Sequence, residues 1–123
     1  MIKNDSLKGF FAHNVLNYTP AECYRMCKEG ATIVDVREGY MTSFKMFDVD
    51  NIIYIPFSRF TELYNSLPCD VTLIFADSAG LKSRECVLYM VKNGYTNVAN
   101  MAGGMVEWER DGLPVKVDKN FRL

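Results

Sequence analysis

Apolar positions in this chain fall in short unbroken runs that alternate with segments of helical spacing. Thr19-Pro20-Ala21-Glu22 has the form of a helix start: Thr19 is placed to cap, Pro20 opens the helix, and Glu22 lies three residues past the cap. Gly30 ends that helix. Ala31-Thr32-Ile33-Val34-Asp35-Val36 then predicts a buried strand, because a short β-branched run between a glycine and a charge suits a sheet better than a helix. Arg37 to Phe47 reads as helical or irregular. Asn51 to Pro56 is a second strand, stopped by its proline, after which Phe60, Leu63, Tyr64 and Leu67 recur at helical spacing until Pro68.

Val71 to Ala76 is the most hydrophobic strand. Cys86, Val87, Met90 and Val91 follow as a helical stripe ended by Gly94, then Asn97 to Met101 as a short strand and Gly103 to Gly112 as a last helix. Strands that are apolar throughout and separated by helices predict an α/β fold in three layers, with a central parallel sheet of about five strands flanked by helices. The folded unit is expected over residues 15–117, with tails at 1–14 and 118–123.

Length narrows this to one domain, since 123 residues cannot hold two cores of ordinary size. The balance of 49% hydrophobic and 24% charged residues is that of a globular protein. A net charge of −1 with dispersed Lys and Arg argues against nucleic acid and anionic membrane as partners. No apolar run is long enough to span a membrane, and the first residues lack a signal-peptide pattern. Four scattered cysteines, Cys23, Cys27, Cys69 and Cys86, do not form a disulfide framework, so a reducing, cytoplasmic setting is expected. Cys23 and Cys27 share one helix face, but the sole histidine, His13, lies in the expected tail, so neither a metal nor another cofactor is implied. A monomer or weak dimer is expected.

The chemistry is expected where the central strand delivers the chain into Asp77-Ser78-Ala79-Gly80-Leu81-Lys82-Ser83. Ligands of open α/β sheets bind beyond the carboxyl ends of strands, where loops enter helix N-termini. A glycine-containing loop followed by a serine able to cap the helix can turn several backbone N–H groups inward, a cradle for an anion or a thiolate. A protein or a small anion is the expected partner there. A bare structural connection has the same appearance, so the wider context matters.

That context is ordered: Asp35-Val36-Arg37, Ile53 to Pro56, Gly80 to Ser83, Asn93 to Val98, Gly103 to Trp108 and Gly112 to Val115. Together these segments resemble the rhodanese-like domain family from about Thr19 to Val115. The resemblance implies a six-residue active-site loop whose first residue, in catalytic members, is a cysteine that carries sulfane sulfur as a persulfide. The matching position here is Asp77. A carboxylate is hard, weakly nucleophilic and unable to form a persulfide, so thiosulfate sulfurtransferase activity at this position is not expected. Ser78 stands where members often have a basic residue, Lys82 where they usually have Arg, and Phe47-Asp48 where they have Gly-His. The expectation is a binding or regulatory module.

The alternative is persulfide transfer by another cysteine such as Cys86. Its place on the face of Val87 and Met90 reads as core, and Cys69 lies at the far end of the central strand from the loop. Phosphatase chemistry would need a longer loop and the same missing thiolate. Asp35 and Arg37 read as supporting residues that make structural hydrogen bonds and ion pairs. Trp108 reads as a core anchor, and the stretch Tyr40, Met41, Phe44, Met46, Phe47 as core or as an exposed patch for a partner.

Overall fold

The computed structural model describes residues 8–118. Its elements run β1 (Phe10–Ala12), β2 (Val15–Tyr18), α1 (Pro20–Lys28), β3 (Thr32–Asp35), α2 (Gly39–Phe44), β4 (Lys45–Phe47), β5 (Ile52–Tyr54), α3 (Phe60–Leu63), β6 (Leu73–Ala76), α4 (Leu81–Lys92), β7 (Val98–Met101), α5 (Gly104–Arg110) and β8 (Val115–Val117). The main sheet has strand order β1-β2-β7-β6-β3-β5. From β2 to β5 all neighbours are parallel, and β1 adds an antiparallel edge. The fold is thus α/β, with a mostly parallel sheet between helices.

Alternation along the central strands feeds two cores. Val34, Leu73 and Phe75 point to one face, where Phe60 of α3 and Cys86, Val87 and Met90 of α4 cover them. Ile33, Ile74 and Ala76 point to the other, against Cys23 and Cys27 of α1 and Met105 and Trp108 of α5. Because both faces are covered, the central strand β6 is apolar at every position rather than at every second one. Trp108 closes the second core: its indole N–H donates to the Pro114 carbonyl at 2.8 Å, and its ring meets Phe47 edge-on at 5.1 Å.

The capping box at α1 forms in full: Thr19 Oγ1 accepts from the Glu22 N–H, and the Glu22 carboxylate accepts from the Thr19 N–H at 2.9 Å. Three expectations change. Phe10–Ala12, assigned to the tail 1–14, pairs with β2, because a tight turn at His13 and Asn14 in left-handed conformation folds the chain back onto the sheet edge. Within Arg37 to Phe47 the chain forms the short helix α2 and then β4, which pairs antiparallel with β8 as a second small sheet. Ser83 does not cap α4: the helix starts earlier, at Leu81, and Ser83 is buried inside its first turn. Residues 1–7 of the expected first tail and 119–123 of the second lie outside the described residues. No helix among the described residues is long and apolar enough to cross a membrane.

Candidate functional site

The loop leaving β6 lies between the exits of its two neighbours, β3 and β7. From the β7 side, the first N–H groups of α5 hold its main chain: Met105 N donates to the Asp77 carbonyl at 2.8 Å and Val106 N to the Ser78 carbonyl at 3.1 Å. That approach needs glycine at the helix start. Gly104 has φ 56°, and a Cβ there would stand 2.3 Å from the Asp77 carbonyl oxygen. Gly80 turns the loop into α4 with φ 92°.

Within this turn the Asp77 side chain folds inward and is 7% exposed. Its Oδ1 accepts from the N–H groups of Ala79, at 3.2 Å, and of Gly80. Oδ2 accepts from Lys82 N at 2.8 Å and Ser83 N at 3.3 Å. The carboxylate therefore caps α4, satisfying donors that a helix N-terminus otherwise leaves free. Ser78 and Ala79 rim the loop, and Leu81 and Lys82 project outward on the first turn of α4.

Behind the carboxylate runs a buried polar chain that sequence reasoning missed. Ser83 Oγ donates to Asn100 Oδ1 at 2.5 Å and lies 3.4 Å from Asp77 Oδ1. Asn100 Nδ2 donates to Asn17 Oδ1 at 3.0 Å, and Asn17 Nδ2 donates to the Val15 carbonyl at 3.0 Å and the Ala12 carbonyl at 3.3 Å. The loop is thus tied to the β1–β2 edge. The available signal was Asn17 and Asn100 inside strand segments, where an amide needs a buried partner.

On the β3 side, Asp35 and Arg37 form a buried pair with Nη2 to Oδ2 at 2.8 Å. The guanidinium also donates to the Lys45 carbonyl at 2.7 Å, which ties β3 to β4. Every donor named here is spent on the scaffold, so this pair holds the site wall. Between α2 and the loop opens a cleft of about 280 Å³, lined by Val36, Tyr40, Met41, Leu81 and Lys82 among others. Of the apolar stretch at its edge, Phe47 is buried and Tyr40 is 74% exposed, so core and surface divide it.

The cysteines stand apart. Cys86 is 1% exposed, and burial first, then the Asp77 and Glu85 carboxylates, push its thiol up to about 12. Burial raises Cys27 to about 11 and pushes Cys23 well above the usual thiol range. Cys69 is exposed and is not among the residues that line the cleft. Among the described residues no group of three His, Cys, Asp or Glu side chains converges as a metal set would require.

A mostly parallel sheet between helices, whose central strand runs into a loop at a helix N-terminus, defines the class as an α/β domain. The chain belongs to the rhodanese-like domain family: the family profile described as Rhodanese-like domain matches residues 19–111. A protein of Haemophilus influenzae named Thiosulfate sulfurtransferase GlpE is 28% identical over 101 residues, covering 79% of this chain and 90% of that one. Rhodanese-like domain-containing protein 17 of Arabidopsis thaliana is 29% identical over 110 residues, covering 79% of this chain and 70% of its own. Among solved structures, a rhodanese-related protein from Thermoplasma volcanium superposes with TM-score 0.74 at 26% identity, covering 83% of this chain and 98% of that one.

Proposed function

We propose that this rhodanese-like domain does not transfer sulfane sulfur at its loop and acts as a binding or regulatory module. The observation that carries the reading is the Asp77 carboxylate at the first loop position, accepting the N–H groups of Ala79, Gly80, Lys82 and Ser83. In that place a sulfurtransferase of this family holds a thiolate. The carboxylate consumes the donors that would polarise an incoming anion, and its own charge repels thiosulfate. Persulfide transfer by Cys86 has less support, because the thiolate is the nucleophile and burial disfavours it there. A reducing, cytoplasmic setting fits four free cysteines.

The test is a thiosulfate:cyanide assay on the purified chain with intact-mass analysis after thiosulfate treatment. The module reading expects no turnover above buffer and no added sulfur. Turnover that Asp77→Ala abolishes, or a one-sulfur adduct on any cysteine, would overturn it. Asp77→Cys is expected to load one sulfur atom, because the four N–H groups then face a thiolate.

A further inference from the structure

We propose that Asn93-Gly94, where α4 ends, is a self-modifying site: its side-chain amide hydrolyses to a carboxylate through openings of the last turn of α4, and the product weakens that turn. The only co-reactant is water.

The residue pair supplies the reactivity. Asn93-Gly94 is the one Asn-Gly pair in the chain. Glycine lacks a Cβ, so its main-chain nitrogen reaches the side-chain carbonyl carbon of a preceding asparagine with less hindrance than that of any other residue. In the reaction the Gly94 nitrogen bonds to Asn93 Cγ and gives up its proton, the Cγ–Nδ2 bond breaks, and ammonia leaves carrying that proton. Water then opens the cyclic imide at either carbonyl, which leaves aspartate or isoaspartate at position 93. Nothing is oxidised or reduced. Both residues are exposed, and no atom stands within 4 Å of where a Gly94 Cβ would be, so water reaches the pair.

The fold holds the two reacting groups apart. Gly94, at φ 94°, closes α4 with both bonds of a Schellman end: its N–H donates to the Val91 carbonyl at 3.1 Å, and Tyr95 N donates to the Met90 carbonyl at 3.0 Å. The attacking nitrogen is thus engaged. So is the leaving amide, because Asn93 Nδ2 donates to the Tyr89 carbonyl at 2.8 Å and Oδ1 accepts from the Tyr64 hydroxyl at 3.4 Å. The backbone angle is wrong as well. Asn93 has ψ 21°, and since N and Cβ stand roughly 120° apart around the Cα–C bond, the Gly94 nitrogen lies roughly 140° from Cβ. A five-membered ring needs that angle near zero. Ring closure therefore requires rotation about the Asn93 Cα–C bond, which breaks the helix end.

The product cannot restore what the amide made. A carboxylate in place of the amide sets a charged acceptor against the Tyr89 carbonyl, at the negative end of the α4 dipole. Isoaspartate adds a methylene to the main chain and displaces Gly94 from its bond to Val91. Met90, Tyr64, Tyr89 and Tyr95 pack in one core cluster, so the damage reaches the contact of α4 with the segment after α3.

The test is site-resolved peptide mapping of the whole chain after incubation at mildly alkaline pH, in buffer and in urea. Expected is conversion of amide to acid, with isoaspartate, at Asn93 in both, about tenfold or more slower in the folded chain because reaction waits on local opening. Lys92→Gly keeps the reactive pair and weakens the last turn of α4 at an exposed position. It should speed conversion in buffer about threefold to fivefold and leave the rate in urea unchanged. Asn93→Asp, the product made directly, should melt lower than the parent and exchange its amides faster over residues 89–95. Equal rates in buffer and urea overturn the proposal, as does Lys92→Gly converting at the parent rate. A folded chain that does not convert even as Lys92→Gly overturns it too. Asn93→Asp that melts and exchanges like the parent overturns the consequence drawn for α4.

Discussion

Gly104 stands against Asp77 so closely that a Cβ on residue 104 would lie 2.3 Å from the Asp77 carbonyl oxygen and 2.8 Å from the Ser78 carbonyl carbon. The contact is backbone on backbone, so no flexible side chain can yield. It lets the first N–H groups of α5 hold the loop carbonyls, and so sets the direction in which the Asp77 side chain leaves the main chain.

Gly104→Ala should therefore be among the most damaging small substitutions in the domain. The left-handed φ of 56° adds strain to the clash. We expect a loss of about 2 to 4 kcal/mol in urea unfolding, on the scale of overpacking plus a disfavoured backbone state. A loss below about 1 kcal/mol would show that the loop and α5 can separate cheaply.

Asp77→Ala should remove the cap of α4 and leave its N–H groups without their carboxylate. The expected cost is about 2 kcal/mol in an anion-poor buffer, within the range of a lost cap with unsatisfied donors. Sulfate at millimolar concentration should raise the melting temperature of Asp77→Ala while leaving that of the parent chain nearly unchanged. Equal responses of the two proteins would mean that the carboxylate does not stand in for an anion.

Asn100→Ala should uncouple the loop from the edge hairpin. It deprives Asn17 Oδ1 of its donor, leaves Ser83 Oγ only the longer contact to Asp77 Oδ1, and opens a cavity between them, at an expected cost of about 2 to 3 kcal/mol. Amide exchange is the informative readout. Faster exchange at both the loop and residues 10–18 is expected, whereas an effect confined to β7 would sever the proposed connection.

Alkali should destabilise the domain through its buried thiols. Burial raises Cys86 to about 12 and Cys27 to about 11 in the folded state, against the ordinary thiol value of 9.0 when the chain is open. Between those values the unfolded chain gives up protons that the folded chain keeps. Stability is thus full below pH 9 and falls as pH rises toward 11 and 12. Melting curves from pH 8 to 11 test this, and Cys86→Ser with Cys27→Ala should flatten the alkaline limb. At neutral pH, iodoacetamide should label the exposed Cys69 first, with the other three protected until unfolding.

Much of this fold was legible because its signals are local. The Thr19-Pro20-Glu22 start, the runs at Ile33 and Leu73 and the helical stripe around Cys86 each depend on neighbours within a few residues. The small sheet of β4 and β8 was not legible, since Lys45–Phe47 and Val115–Val117 pair across most of the chain with only three residues each. The edge strand β1 was likewise hidden, because pairing with β2 and the Asn17 amide, rather than its own pattern, holds Phe10–Ala12.

The same division runs through the candidate site. The residue order placed an aspartate at the mouth of the central strand, ahead of a glycine turn and a helix, and that alone marked the loop as the candidate site. Which atoms the carboxylate meets was decided in three dimensions. Gly80 at φ 92° bends the chain so that N–H groups up to six residues on converge on Asp77, and α5 presses on the loop from behind. Sequence fixes which groups are available locally, whereas convergence of donors needs strands and helices distant in the chain to be packed at van der Waals distance.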